Sequence, residues 1–376
     1  MLRRQRELDR ALDLGRADPR LHDVLRLGAY QLRWLTRVPS HAAVSTAVDL
    51  ARETVGEAST GYVNRSLRRL SATGYRLSGK TESHPDWLVA RWTAQFGQDE
   101  TAQLIDWNDK TPDLILQPAG WDQDTLLKRL GEAGIGAEAA PFGAGIRLYP
   151  IADSRYPIAK RLPGYREGGF IVQDPAHALV ARYAAIPPGQ LVYDACAAPG
   201  GKAVALEARG ARVLAGDARY QRLGRLGDTT RRAGVAIRCV AADLEAAPLR
   251  AASVAAVLVD APCSATGTMR RHPDARWRLH PVIFTRMAKR QERLLQAAAS
   301  LVRAGGLLVY ATCSLESEEN EHVVERFLKR NPDFTRVPPP PAAVPAQLIT
   351  AAGDFQALPQ RHGVDGAYAA RLVRAV

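Results

Sequence analysis

From about residue 166 the chain alternates short apolar runs with stretches of helical spacing. The runs near 190–194, 211–216, 235–241, 254–259 and 306–311 predict strands. A helix is predicted from Thr285 to Arg303, with Gly305-Gly306 as its C-terminal stop. Strands alternating with helices imply a parallel, doubly wound α/β sheet. Pro338 to Pro341 predicts a stiff linker. The turn Val364-Asp365-Gly366 predicts a last strand that adds an antiparallel edge.

The earlier part follows other periods. Over residues 1–75, Leu21, Val24, Leu25, Leu27, Leu32 and Leu35 recur at helical spacing. Pro39-Ser40-His41 interrupts them, and Ser40 is expected to cap a helix running through Ala51. A further helix from Tyr62 to Leu70 carries Arg65, Arg68 and Arg69. Residues 80–150 are mixed: a helix from His84-Pro85 through Phe96, a strand over Pro112 to Gln117, and a helix over Trp121 to Gly131. The expected organisation is a helical domain over 1–75, a small α+β adaptor over 80–150 and an α/β domain over 151–376.

A chain of 376 residues with 46% hydrophobic content can fill two or three cores. No apolar run nears the ~20 residues of a membrane span. No apolar stretch follows the charges of Met1-Leu2-Arg3-Arg4-Gln5-Arg6, so no secretory signal is expected, and a soluble cytoplasmic protein follows. Four cysteines without a C-x-x-C pair argue against a zinc site and a disulfide framework. Cys196 and Cys239 are expected as small buried hydrophobes. The net charge of +12 divides as +5 over residues 1–75, −2 over 76–165 and +9 over 166–376. A basic surface suits nucleic acid, and only seven of the 51 cations are lysines; arginine grips phosphate with a planar fork. Arginine-rich composition also follows from genomic base bias alone.

The candidate chemistry sits at strand ends. Asp194, Asp217, Asp243 and Asp260 each end or follow a predicted strand, where open α/β sheets bind ligands. A buried charge costs on the order of several kcal/mol unless it is paired or meets a ligand. A glycine loop, Ala195-Cys196-Ala197-Ala198-Pro199-Gly200-Gly201-Lys202, opens after the first of these strands. It is neither G-x-G-x-x-G nor a P-loop, which favours a ligand with ribose and adenine but no phosphate, such as S-adenosylmethionine. Asp217 lies 17 residues past Gly200, near the ~20-residue offset of a ribose-binding acid. Asp243 is then expected near the adenine and Asp260 near the base to be modified. For each acid alone, a cap or turn role is about as well supported.

Two thiols, Cys263 and Cys313, close apolar runs 50 residues apart and can face one pocket. A thiolate adding to carbon 6 of cytosine makes carbon 5 enamine-like, able to accept a methyl group from a sulfonium donor. Asp260 is positioned to hydrogen-bond the ring and stabilise the adduct. Spacing alone does not say which thiol attacks. Arg270, Arg271 and Arg276 are candidate phosphate contacts, with a solvated basic loop as the alternative. His272 and His362 receive no role.

The segments Leu25 to Leu32, Val38 to Val44 and Gly61 to Leu70 resemble the NusB-type RNA-binding helical domain. That domain usually carries further helices ahead of this point, so either a shortened domain or a true start lying upstream is expected. Asp194 to Lys202, Asp260-Ala261-Pro262-Cys263-Ser264, Arg270-Arg271-His272-Pro273-Asp274, Ala311-Thr312-Cys313-Ser314 and Gly169 to Pro175 strongly resemble the RNA cytosine-5 methyltransferases. With the NusB-like front end, the resemblance is to the RsmB (Sun, Fmu) type, which acts on 16S ribosomal RNA. It implies a Rossmann-like methyltransferase sheet behind an α+β adaptor and a NusB-like domain. It also implies Cys313 as nucleophile, Cys263 as the product-release thiol, and S-adenosylmethionine contacts along Cys196, Ala197, Ala198, Pro199, Gly200, Gly201 and Lys202 and at Asp217, Asp243 and Asp260. RNA is the implied partner, with no metal and no membrane. Ala203 and Ala265 depart from the family pattern without removing a reactive group. A non-catalytic ribosome-assembly factor is the alternative.

Overall fold

Apolar residues every three or four positions make the first part of the chain helical. The structure, a computed structural model, describes residues 1–12, 14–73, 83–149 and 159–376. The expected domain boundaries at 75–80 and 150–151 lie outside the described residues. The chain divides into two compact units, Met1–Lys110 with His272–Arg278, and Thr111–Arg271 with Leu279–Val376.

In the first unit, α1 (Gln5–Leu12), α2 (His22–Trp34), α3 (Ser40–Thr54) and α4 (Thr60–Thr73) bury one stripe each. Leu8, Leu12, Leu25, Ala29, Val44, Ala47, Val63 and Leu67 form their common core. Ser40 is the first helical residue; Pro39 occupies the cap position and no side chain caps the turn. Two more helices, α5 (Asp86–Phe96) and α6 (Gln98–Asp109), follow, with α11 (Ala275–Arg278) contributed from far along the chain. Arg276, expected as a phosphate contact, is fully buried here. Its Nη1 donates to Asp109 Oδ1 (2.8 Å) and Ser83 O (3.1 Å), and its Nη2 to Asn108 O (3.0 Å). The last carbonyls of α6 lack intrahelical donors and carry partial negative charge, which a guanidinium satisfies. Burial, with the charge of Arg276, holds the neighbouring His84 well below the usual imidazole range.

In the second unit, β1 (Ile115–Pro118), β2 (Ala137–Ala139), β3 (Ile146–Leu148) and β4 (Phe170–Val172) form an antiparallel sheet in the order β2-β3-β1-β4. α7 (Gln123–Glu132) packs on it, and Asp122, accepting from Thr125 N at 2.7 Å, is its N-cap. The helix therefore starts two residues after Trp121.

The larger sheet contains β5 (Leu191–Asp194), β6 (Arg212–Asp217), β7 (Arg238–Ala241), β8 (Val254–Asp260), β9 (Val302–Thr312), β10 (Phe334–Arg336), β11 (Phe355–Ala357) and β12 (Ala367–Arg374). Its order is β10-β12-β9-β8-β5-β6-β7, with β11 also paired to β12. The strands from β9 to β7 are parallel, and β12 runs antiparallel to β9. Side chains alternate between two cores. Val192, Ala256, Leu258 and Val309 face one, together with α8 (Pro175–Ala184) and α9 (Gly201–Glu207). Tyr193, Val257, Val259 and Tyr310 face the other, with α12 (Val282–Leu301) and α13 (Glu321–Arg330). Burial on both faces is why these strands read as continuous apolar runs. α10 (Tyr220–Arg232) connects β6 to β7, and α14 (Pro359–His362) precedes β12.

Several expectations change. Gly305-Gly306 does not stop the helix but lies inside β9. The β8–β9 register shifts between Val254 and Ala256, and Gly305 has φ +67° there. A bulge needs that conformation, which glycine adopts without steric cost. β12 is not an edge strand; it lies between β9 and β10. Pro338 is not a free linker residue, because its carbonyl accepts from Arg371 Nη1 at 2.6 Å. Cys239 is exposed rather than buried, because β7 is the edge strand of the sheet.

The strand order reverses at β5, with β6 on one side and β8 on the other. That switch point opens a crevice at the carboxyl ends of the strands. The loop after β8 is held there by backbone. Gly267 N donates to Cys313 O (3.0 Å), and Gly366 N donates to Gly267 O (2.8 Å). A Cβ on Gly267 would lie 2.7 Å from Gly366 Cα and 2.8 Å from Cys313 O. Both obstacles are main chain and cannot rotate away. Gly267→Ala is expected to lower stability by about 1–3 kcal/mol, read as a fall in Tm. Gly224→Ala, on an open helix face, should leave Tm unchanged or raise it.

Candidate active site

The carboxyl ends of β5, β6 and β8 present Asp194, Asp217 and Asp260 side by side. Asp194 is fully buried, and neither of its oxygens finds a hydrogen-bond partner among the described residues. Burial, and next the charge of Asp260, push its carboxyl up to about 7. Asp217 is 3% exposed and accepts from Arg219 N at 2.9 Å, with Arg222 Nη1 3.2 Å from its other oxygen. The Arg222 guanidinium also donates to Ala198 O, tying the end of β6 to the glycine loop. Asp243 is exposed and accepts from Glu245 N at 3.0 Å, capping the turn Leu244–Ala246.

The loop from Cys196 to Gly201 runs over these acids. Ala197 N donates to Gly216 O at 2.9 Å. Gly200 has φ +106° and is the N-cap of α9, so the chain turns there without a side chain in the way. Ala197, Ala198 and Lys202 are buried, and Cys196 is partly buried. Burial, then the Asp194 charge, push the Cys196 thiol up to about 12, so it is an unreactive thiol at neutral pH.

Lys202 Nζ lies 2.6 Å from Asp260 Oδ2 and 3.4 Å from His177 Nδ1. Burial opposes its charge, but Asp260 outweighs burial and the ammonium pKa is raised. Beyond this pair the two loops after β8 and β9 bring Cys263 Sγ and Cys313 Sγ within 3.1 Å. The hydrogen bond with Cys313, then burial, raise Cys263 well above the usual thiol range.

Behind the thiols lies a polar cluster that no motif in the sequence announces. Glu319 is fully buried and accepts from Ser264 N (2.9 Å), Ser264 Oγ, Ser314 Oγ (2.8 Å) and Gln291 Nε2 (2.9 Å). Ser264 and Ser314 each follow a cysteine, which is the only signal the sequence carries.

Arg270 and Arg271, expected at phosphates, are turned inward. Arg270 is 4% exposed, with Nη2 3.5 Å from Asp113 Oδ2. Arg271 bridges Asp174 (2.7 Å) and Asp365 (2.5 Å). Asp174 also accepts from Ala176 N and Asp365 N. Arg271 thus ties β4, α8 and the last loop together, because two buried carboxylates need a cation. Burial, then Asp174, push Asp365 up to about 6.

Among the described residues, no group of three or more His, Cys, Asp or Glu could hold a metal, and no helix is long and apolar enough to cross a membrane. A family model for 16S rRNA methyltransferase RsmB/F matches residues 183–373. The NusB family matches 2–72, and the ferredoxin-like domain of RsmF/B-like methyltransferases matches 84–152. A probable ribosomal RNA small subunit methyltransferase B from Synechocystis is 34% identical, covering 100% of this chain and 89% of its own. The ribosomal RNA small subunit methyltransferase B of Xylella fastidiosa (strain 9a5c) is 37% identical over 97% and 86%. The crystal structure of PH0851 is similar with a TM-score of 0.83, 26% identity and coverage of 99% and 88%. NSun6 from Pyrococcus horikoshii, solved with the S-adenosylmethionine analogue SFG, shares the fold at a TM-score of 0.65 and 17% identity, covering 78% and 98%. The family is S-adenosylmethionine-dependent, and the buried, unpartnered Asp194, the Asp217 carboxylate and the glycine turn fit such a cofactor. The chain belongs to the RsmB/F family of 16S rRNA methyltransferases.

Proposed function

We propose that this chain methylates carbon 5 of a cytosine in small-subunit ribosomal RNA through a covalent adduct on Cys313. The observation that carries the reading is the pair of thiols 3.1 Å apart, beside the Lys202–Asp260 pair at the switch point. Asp260, Asp217, Asp243 and the loop from Cys196 to Lys202 would hold the cofactor and orient the base. Bound S-adenosylmethionine supplies a methyl group activated by its sulfonium.

The Cys313 thiolate adds to carbon 6, and the ring's electrons move to carbon 5 and toward N3. The Lys202 ammonium stabilises negative charge in this corner of the site, and the Asp260 carboxylate accepts from the exocyclic amine. After carbon 5 is alkylated, a base removes its proton. That electron pair re-forms the double bond and Cys313 leaves as thiolate. Cys263, held as a thiol, offers its hydrogen to the departing sulfur and favours release.

The test is transfer of label from the methyl donor into small-subunit rRNA, followed by nucleoside analysis. Label in 5-methylcytosine supports the reading, and label in another nucleoside overturns it. Cys313→Ala is expected to abolish transfer, while Cys263→Ala accumulates an SDS-stable protein–RNA adduct. Adduct formed by the Cys313 variant alone would exchange the two roles.

Asp194 yields a second expectation. Its folded pKa of about 7 lies above the ordinary carboxylate value, so the folded state holds the proton more tightly. Its contribution is present at low pH and is lost as pH rises through about 7. Asp194→Asn, which cannot ionise, should gain stability relative to the parent between about pH 4 and 7, up to roughly 4 kcal/mol. Urea unfolding without cofactor at several pH values measures it; a constant difference would refute it.

A further inference from the structure

The two sulfurs bond each other, and Ala265 N reaches Cys263, but no other side chain holds either sulfur in the hydrogen bonds of the described residues. Each is fixed through the residues on its two sides. Around Cys263, Gln291 Nε2 donates to Pro262 O at 2.9 Å and to Glu319 at 2.9 Å, while Ser264 donates to Glu319 through both N and Oγ. Around Cys313, Thr312 Oγ1 donates to Asn320 Oδ1 at 2.6 Å and Asn320 Nδ2 to Ser314 O at 2.9 Å, while Ser314 Oγ donates to Glu319 at 2.8 Å. Tyr310 OH donates to the Glu319 carbonyl at 2.6 Å, fixing the backbone that carries this side chain. The Glu319 side chain is bonded to the residues following both cysteines.

Burial raises the Glu319 carboxyl, and four donors converging on its two oxygens oppose that rise, an arrangement that suits the ionised carboxylate, which only accepts. Two of these links, both from Ser264, reach the Cys263 loop directly, Gln291 on α12 reaches it through Pro262 O, and one link reaches the Cys313 loop. Burying an anion is unfavourable unless its lone pairs are filled, and here they are filled by the groups that must be held still.

We propose that Glu319 is a positioning residue that sets the two sulfurs at their working separation and so enables product release by Cys263. This rests on the release role proposed for Cys263. Glu319 touches no reacting atom. It acts by holding Ser264 and Ser314, and by placing negative charge near Cys263, which disfavours a second thiolate there.

Glu319→Gln keeps the shape but replaces one acceptor with an NH2 that faces other donors. Full-length protein is assayed with the methyl donor and small-subunit rRNA, beside Cys263→Ala. The variant is expected to lower kcat on the order of 100-fold, with KM for RNA falling alongside it and cofactor affinity nearly unchanged, because the release step loses alignment and becomes rate-limiting. An SDS-stable RNA adduct should accumulate. A readout without RNA is diamide oxidation, in which diamide takes two electrons and two protons as the thiols form a Cys263–Cys313 disulfide. Glu319→Gln should form it about tenfold more slowly than the parent, since closure depends on held geometry.

Parent-like disulfide formation with no adduct would overturn the proposal. If Cys263→Ala itself traps no adduct, the release reading has failed. If it traps one while Glu319→Gln turns over normally, only the positioning role has failed. Should Glu319→Gln not fold, Ser264→Ala, which removes one donor and keeps the anion, takes the same diamide test. Slower closure supports the proposal, and parent-like closure overturns it.

Discussion

Parallel pairing of β8 with β9, with Asp260 opposite Ala311, is the constraint from which the site follows. It places the ends of the two strands level, so that the loops leaving them carry Cys263 and Cys313 to the same point. Strand side chains alternate with period two, so a slip of one residue would send Val257, Val259 and Tyr310 into the wrong layer. The irregularity at Val254/Ala256 and Gly305 absorbs the mismatch before the paired stretch begins. The crossing of Gly267 and Gly366 then fixes the loop in the remaining direction.

A protein of net charge +12 buries several of its ionic groups at this end of the sheet. Lys202 meets Asp260, Arg271 meets Asp174 and Asp365, and Glu319 meets four neutral donors. Replacing such groups with apolar ones often leaves stability unharmed, so their contribution is better read as geometry than as strength. Asp194 stands apart because, among the described residues, neither of its oxygens makes a well-formed hydrogen bond and only the Cys196 backbone N–H approaches it. An unpaired carboxyl at a switch point is expected where a ligand, rather than the fold, completes the site.

How much could be read from the residues differs element by element. β5, β6, β8 and β9 stand out because strands buried on both faces are continuous apolar runs. β7 is shorter than expected, Arg238–Ala241 rather than 235–241, because an edge strand lacks that signature. Gly305-Gly306 is ambiguous locally: the same pair can end a helix or form a bulge, and only the pairing with β8 decides. Arg270, Arg271 and Arg276 look like surface cations because their partners lie far away in the chain. Asp109 is 167 residues from Arg276, and Asp365 is 94 from Arg271. Glu319 is one acid in the acidic run Glu316-Ser317-Glu318-Glu319, with nothing local to mark it.

The sequence by itself determined the class of fold, the family and the small set of candidate groups for chemistry, because those rest on local periodicity and on contiguous motifs. Tertiary structure decided which strands are neighbours, which arginines are buried, how close the sulfurs approach and which carboxylate bonds the serines beside them. Those are contacts between residues far apart in the chain, and burial converts a surface charge into a structural tie only once the partner is present.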